Sequence, residues 1–378
     1  MADPSTGSAL AVATELLGLR PVDAGRGPAA AHFGVVRFRG RERFLVPLGW
    51  PAATRASCLA YVGLRSPSTR VSRRLVAEGL RRGALRPGGR SASVEHHQGD
   101  AGAEGLSSHL AAALGQPEVA VAMGLGTVDA VWKPTLQVFT PDGSPLAFVK
   151  VGRGPVAAEL VSREAEALAR WAEHPDPRLV VPGLLGTTTW RGLPMVLVAP
   201  LPADARRLPA PVSPWPVRAL DGPVPDTPLD RAPWWTTRRA IAGAGDTAAD
   251  GELDALLSRI EARHGGTPRP WARWHGDWVP WNLARCHLGL VAWDWEYSEP
   301  GAPVGLDEVH GRYQQLRVGQ ARPVAEALAG AGASAPSPWT ADAHLAMLLT
   351  RNAELVRLGG AVPGDDAEIR RFAAAALR

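Results

Sequence analysis

Residues 274–282, WHGDWVPWN, set an imidazole, a glycine and a carboxylate in a row and bring an amide five places after the carboxylate. Asp294 follows in residues 290–296, LVAWDWE, an apolar run that ends in acid. An amide oxygen and a carboxylate arriving from a loop and a neighbouring strand, Asn282 and Asp294, suit Mg²⁺, which takes hard oxygen ligands and borrows the rest from phosphates and water. Asp277 is then left to orient a hydroxyl and accept its proton. Phosphoryl transfer needs this division of labour, because its barrier falls mainly through positioning and through neutralising phosphate charge. A cation for the distal phosphates is available in Lys150, one of few lysines in an arginine-dominated chain, set in the apolar run 147–151. Glu164, in the helical stretch that follows, is its natural partner.

Those groups require a β-rich platform for the lysine and a largely helical part carrying the acids. Residues 116–151 read as a meander: a strand to Met123, a turn with Gly124 and Gly126, a strand to Phe139, a Pro-Asp-Gly-Ser hairpin turn, then the lysine strand. Residues 157–174 space their apolar positions three and four apart, as a helix does. The continuous apolar run 193–201 reads as a buried strand leading into a connector, and its main chain near Val198, Ala199 and Leu201 is a candidate to meet an adenine edge. The proline-rich stretch 202–233 reads as a long connection or lid. From Trp234 onward the pattern is mainly helical, interrupted over 271–295.

The first hundred residues form a separate reading. Residues 33–50 pattern as a hairpin, 58–64 as a third strand, 70–85 as a helix with a basic outer face, and 86–104 as a Gly- and Ser-rich linker. Such a small α+β unit is expected to act as a structural cap. No internal repeat is visible.

Composition bounds the rest. A chain of 378 residues with 46% hydrophobic composition supports two lobes. The formal net charge of +4, without a long cationic run, suits small anionic ligands, and neither a zinc cluster nor an RNA-recognition signature points to nucleic acid. Cys58 and Cys286 lie far apart with no partner motif, so neither a disulfide framework nor a structural zinc is expected. No stretch approaches a membrane span and the N-terminus lacks a signal-peptide pattern; the expectation is a soluble cytoplasmic protein.

The pattern HGDxxxxN followed a dozen residues later by D-x-E resembles the catalytic loop and metal-binding segment of the aminoglycoside phosphotransferase and choline kinase family, a branch of the protein-kinase-like fold. The resemblance covers about residues 116–370. It implies an α+β, bilobal protein-kinase-like architecture: an N-terminal extension and linker (1–103), a β-rich nucleotide-binding lobe (104–201) and a helical catalytic lobe (202–378). It further implies ATP and Mg²⁺, with Asp277 as base, Asn282 and Asp294 as metal ligands, Lys150 on the nucleotide phosphates and Glu164 as its ion-pair partner. Gly124, Gly126 and the main chain of Val198, Ala199 and Leu201 would meet the nucleotide. His275 resembles a residue that buttresses the loop, and Asp307 the downstream acid that anchors the loop's backbone. Two departures stand out: the glycine turn is sparser than a protein kinase's, and Glu166 competes with Glu164 for the lysine.

The expected reaction is transfer of the γ-phosphate to a hydroxyl of a small molecule: a sugar, an amino sugar, an aminoglycoside-like compound or another metabolite. Trp278 and Trp281, inside the loop, are candidates for substrate contact. A Ser/Thr kinase acting on a peptide or protein, and a non-catalytic nucleotide-binding regulator, remain alternatives. Acceptor identity and oligomeric state are not legible in the residues.

Overall fold

A computed structural model describes residues 8–22, 32–38, 40–85, 92–100, 105–126, 128, 131–208, 226–245 and 247–378. The proline-rich connection expected over 202–233 lies largely outside the described residues, as does part of the glycine turn. The chain is mixed α+β and divides into two compact units, one formed by 1–172, 181–207 and 285–291, the other by 173–180, 208–284 and 292–378.

The first unit is organised by one antiparallel sheet. Its strands are β1 (His32–Phe38), β2 (Arg41–Pro47), β3 (Ala92–Gln98), β4 (Ala120–Gly124), β5 (Thr135–Phe139), β6 (Pro145–Val151), β7 (Leu184–Trp190) and β8 (Leu193–Val198). From an edge pair at Arg20–Pro21 the order is β3, β1, β2, β4, β5, β6, β8, β7. Strands of the N-terminal segment therefore continue the same sheet as the meander, with Leu45 of β2 opposite Met123 of β4.

Alternation along each strand sorts side chains onto two faces. Phe33, Val35 and Leu45 pack on one side with helices α1 (Ala9–Leu17) and α4 (Leu106–Ala113). Val36, Val46 and Val94 pack on the other with Cys58, Val76 and Ala77 of α2 (Pro51–Leu59) and α3 (Pro67–Arg81). The hairpin expected over 33–50 and the helix expected over 70–85 are present. Two expectations are corrected. Residues 58–64 are the end of α2 and a 3₁₀ turn at Val62–Leu64, not a strand; a seven-residue apolar run does not by itself distinguish the two, and Pro51, with φ preset, starts the helix. Residues 92–98 are β3, not linker. With only Val94 and His97 buried, that strand owes its existence to full pairing with β1, which its composition does not announce.

Helix α5 (Pro155–Glu173) follows β6 and buries Leu160, Val161, Glu164 and Leu168, one stripe of its surface.

The second unit is helical: α6 (Pro233–Gly243), α7 (Ala248–His264), α8 (Leu306–Gln314), α9 (Val324–Ala333), α10 (Pro338–Arg357) and α11 (Asp366–Ala376). Its core is built on tryptophan. The Trp339 ring meets Trp235 edge-on at 6.2 Å and Trp271 at 5.9 Å, with Trp234 at 6.4 Å from Trp271. Strands β9 (Leu283–Cys286) and β10 (Gly289–Ala292) follow the loop 273–282 and straddle the division between units. No helix among the described residues is long and apolar enough to cross a membrane.

Candidate functional site

In the first unit Lys150 lies on β6, opposite Thr135 of β5 and Val196 of β8. Its Nζ donates to Glu164 Oε1 at 2.5 Å, both residues being buried. Glu166, the competing acid, is exposed and stands 3.7 Å from Arg170. Helical geometry explains the choice: Glu164 shares the inward stripe of α5 with Leu160 and Leu168, four residues either side, and Glu166 does not. At Gly124 and Gly126 an added Cβ would meet no atom within 4 Å.

Main-chain groups after β8 are partly engaged. Ala199 N–H donates to Gly183 O at 2.8 Å, and Leu201 N–H donates to the hydroxyl of Tyr61 at 2.7 Å. Val198 pairs with Phe148. Tyr61 also packs its ring on Phe148, centroids 4.8 Å apart.

In the second unit the loop 274–282 is held from behind. Asp307, the second residue of α8, accepts from the backbone N–H of His275 at 2.7 Å and of Gly276 at 2.9 Å. Burial raises its carboxyl pKa, opposed by His275 and those two amides. Arg351 of α10 donates to Gly276 O at 2.9 Å while its guanidinium lies 3.9 Å over the Tyr297 ring. Gly276 has φ +86, and a Cβ there would fall 2.2 Å from Tyr297 O. Both the backbone conformation and the close approach of a second chain segment thus require glycine before Asp277. His275, fully buried, donates from Nε2 to Trp293 O at 2.9 Å, which leaves Nδ1 to accept the Asp277 N–H at 3.2 Å.

The Asp277 carboxylate is oriented from two directions. Asn282 Nδ2 donates to Oδ2 at 2.8 Å, and His310 Nε2 faces Oδ1 at 3.5 Å. His310 Nδ1 is in turn 3.2 Å from His344 Nε2. With both imidazoles neutral, His344 donates to His310 and the remaining N–H of His310 points at the carboxylate. Burial works to raise the Asp277 pKa, but His310, Arg351 and His275 outweigh it and hold the carboxyl below its ordinary value. Burial lowers His310 and carries His344 well below the usual imidazole range.

Asn282 turns its amide nitrogen to Asp277, so the amide oxygen faces away from that carboxylate. Asp294 has φ +65, a left-handed conformation that costs a non-glycine residue on the order of 1–3 kcal/mol and recurs at functional sites. One of its carboxylate oxygens lies within 4.8 Å of one from Glu296, which is buried. An amide oxygen and two carboxylates are hard donors of the kind Mg²⁺ takes.

Of the tryptophans around the motif, Trp274, Trp278 and Trp295 are buried, and Trp278 packs edge-on against His275 at 5.6 Å. Trp281 is exposed. Sequence reasoning missed His310, His344 and Arg351. Spacing alone puts His310 on one helix face with Asp307, three residues earlier, and Arg351 on one face with His344, seven earlier, but does not tell what either face meets.

No family model and no curated protein matches the sequence. Among solved structures, the chain is similar to a thermostable mutant of aminoglycoside phosphotransferase APH(4)-Ia in ternary complex with ADP and hygromycin B. That match has 13% identity, covers 72% of this chain and 98% of that one, and has a TM-score of 0.46. Similarity to the amicoumacin kinase hAmiN, in complex with AMP-PNP, Ca²⁺ and Ami, has 12% identity, covers 65% and 85% of the two chains, and has a TM-score of 0.39.

Proposed function

We propose that this protein is an ATP-dependent, Mg²⁺-requiring phosphotransferase that moves the γ-phosphate to a hydroxyl of a small molecule. The observation that carries this reading is the Asp277 carboxylate, ionised, held by Asn282 on one oxygen and faced by His310 on the other, on a loop whose main chain is pinned by Asp307 and Arg351. A carboxylate fixed in this way is suited to align an acceptor hydroxyl and take its proton as the oxygen attacks phosphorus. The bond from the γ-phosphorus to the bridging oxygen breaks, ADP leaves, and the phosphorus forms its new bond to the acceptor oxygen.

In this proposal the first unit binds nucleotide and the second is catalytic. Lys150, kept extended by Glu164, neutralises charge on the nucleotide phosphates. Asn282 and Asp294, with Glu296 close by, would hold Mg²⁺, which supplies charge neutralisation at the phosphate oxygens. Trp281, exposed on the loop, is the better placed of the two loop tryptophans to touch an acceptor.

The test is ATP consumption with Mg²⁺ against aminoglycosides, free sugars and amino sugars, nucleosides, amino alcohols and Ser/Thr peptides, with Asp277→Asn alongside. Turnover on one small-molecule class that disappears in the variant is the expected result. Turnover confined to peptides, or equal turnover in the variant, overturns the proposal.

A further inference from the structure

The first unit contains a pocket whose walls, apart from Leu201, have no part in the phosphotransfer reading. About 300 Å³ in volume, it opens where α2, the Val62–Leu64 turn and the start of α3 meet the β5–β6 hairpin and the segment after β8. Its walls are apolar, with Leu59, Val62, Phe139, Phe148 and Leu201 around the Tyr61 ring, while Arg70, Arg74 and Arg206 stand at its margin.

These arginines differ from the others on the same surface. Further along α3, Arg81 and Arg82 both pair with Glu78. Two of the three at the pocket are instead bonded to backbone carbonyls, Arg70 to Arg65 O at 2.8 Å and Gly63 O at 3.3 Å and Arg206 to Ala205 O at 3.0 Å, while Arg74 is exposed. Behind them Arg73 donates to Ala60 O at 3.1 Å. Among the described residues none of the four, Arg70, Arg73, Arg74 or Arg206, forms an ion pair with a carboxylate. Carbonyls at the end of α2 and of the following turn steady a cation and use one or two of its five N–H groups, but they do not cancel its charge. Burial, and after it the neighbouring Arg65, pull the Arg73 guanidinium down to about 10. An apolar chamber of this size bordered by guanidinium groups that no described carboxylate pairs, two of them held by carbonyls, matches one kind of ligand: an apolar body that ends in an anion able to take forked hydrogen bonds.

We infer that this pocket binds a small anionic amphiphile, an alkyl or aromatic group carrying a terminal carboxylate or phosphate, with the body between Phe148, Phe139 and Val62 and the head group on Arg70 and Arg74. The inference does not depend on the phosphotransfer proposal, and its test needs no turnover.

Isothermal titration calorimetry of the full chain with octanoate and octyl phosphate, and with octanol and octylamine as neutral and cationic controls, decides it. Octanoate, octyl phosphate or both bind saturably, the preferred one naming the head group; octanol is on the order of tenfold weaker, and octylamine does not bind. Arg74→Gln, whose side chain is exposed and bonded to no described carbonyl, leaves the fold intact by circular dichroism and weakens the anion on the order of tenfold. Val62→Trp fills the chamber and removes binding of the octyl chain. Arg81→Gln, on the same helix but paired with Glu78, changes nothing. Absence of binding by both anions, equal binding of octanol and octylamine, or no loss in Arg74→Gln overturns the inference.

Discussion

Asn282 donates its side-chain amide to Oδ2 of Asp277 at 2.8 Å, and also to the Asp277 carbonyl at 3.2 Å. The backbone makes this contact possible by folding the five intervening bonds tightly: Val279 N–H returns to Asp277 O and Asn282 N–H to Val279 O, each at 2.9 Å. One amide thus does two jobs. Its nitrogen fixes the rotamer of the proposed base, and the same bond turns its oxygen the other way, free for the proposed role of metal ligand.

Two substitutions separate these jobs. Asp277→Asn removes the proton acceptor and puts a donor against the Asn282 amide; kcat is expected to fall by about 10²–10⁴-fold while nucleotide binding, read by calorimetry, is retained. Asn282→Asp instead sets a second carboxylate beside the first, so that one of them holds a proton near neutrality. Here the pH profile of kcat is expected to shift alkaline relative to the wild type. An unchanged profile in Asn282→Asp would mean that the two side chains do not act on each other during turnover.

Gly276→Ala tests the loop's backbone. The conformation at φ +86 alone costs a side-chain-bearing residue about 1–3 kcal/mol, and the new Cβ overlaps Tyr297 O. A clear drop in melting temperature is expected, together with loss of turnover, because the residue it displaces precedes Asp277. Retained stability would show that the loop can move aside.

The buried pair of the first unit is expected to behave asymmetrically. Glu164→Ala takes away the carboxylate 2.5 Å from the buried Lys150 ammonium and should destabilise by about 3–5 kcal/mol, read by urea unfolding. Replacing both, Lys150→Met with Glu164→Leu, should recover much of that stability yet leave the protein without activity. Recovery of activity in the double variant would remove Lys150 from the phosphate site.

Proton linkage supplies a further prediction. His310 and His344 have folded pKa values below the ordinary 6.5, mainly through burial, so the unfolded chain binds protons first as pH falls and stability drops from about 6.5 downward. The groups facing them are Asp277 and Asp307, which favour the charged form of His310, and Arg351, which opposes it. Each imidazole contributes a slope of at most ~1.4 kcal/mol per pH unit. His344→Gln should flatten the fall in melting temperature between pH 7 and 5. The comparison cancels Asp307, whose raised pKa tilts stability the opposite way. Asp277, being depressed below 3.8, contributes stability that is lost only as pH falls through that lower value, so its protonation should not limit kcat/KM at pH 5.

How far this site could be read from the residues depended on the length of each interaction. Asp277 and Asn282 are legible because a short loop leaves marks in local spacing, whereas Asp307 enters only through the family resemblance. The β1–β2 hairpin is legible because alternation over a tight connection has few other outcomes. His310, His344 and Arg351 are not, although each is buried or bonded at the loop, because nothing near Asp277 in sequence announces which helix faces return to it. The strand β3 was hidden for the same reason: its partner β1 lies more than fifty residues earlier, and its own side chains are mostly half exposed. Residues 58–64 failed differently. There the local signal was present but ambiguous, an apolar run too short to reveal its period.

Tyr61 brings the two parts of the first unit into one prediction. It belongs to the N-terminal segment, sits at φ +50, stacks on Phe148 and accepts the Leu201 N–H, a main-chain donor that the nucleotide reading had reserved for an adenine edge. A bond already made at 2.7 Å must be given up before a ligand can use that donor. Tyr61→Phe keeps the ring and its stacking but releases the N–H. If adenine competes for it, removing a hydrogen bond worth about 0.5–1.5 kcal/mol should lower the KM for ATP several-fold with little change in kcat. If adenine is read elsewhere, the N–H is left without its partner, the protein loses stability by a similar amount, and KM does not move. Steady-state kinetics and a melting curve on the same variant distinguish the two, since the first outcome changes affinity and the second changes only the fold.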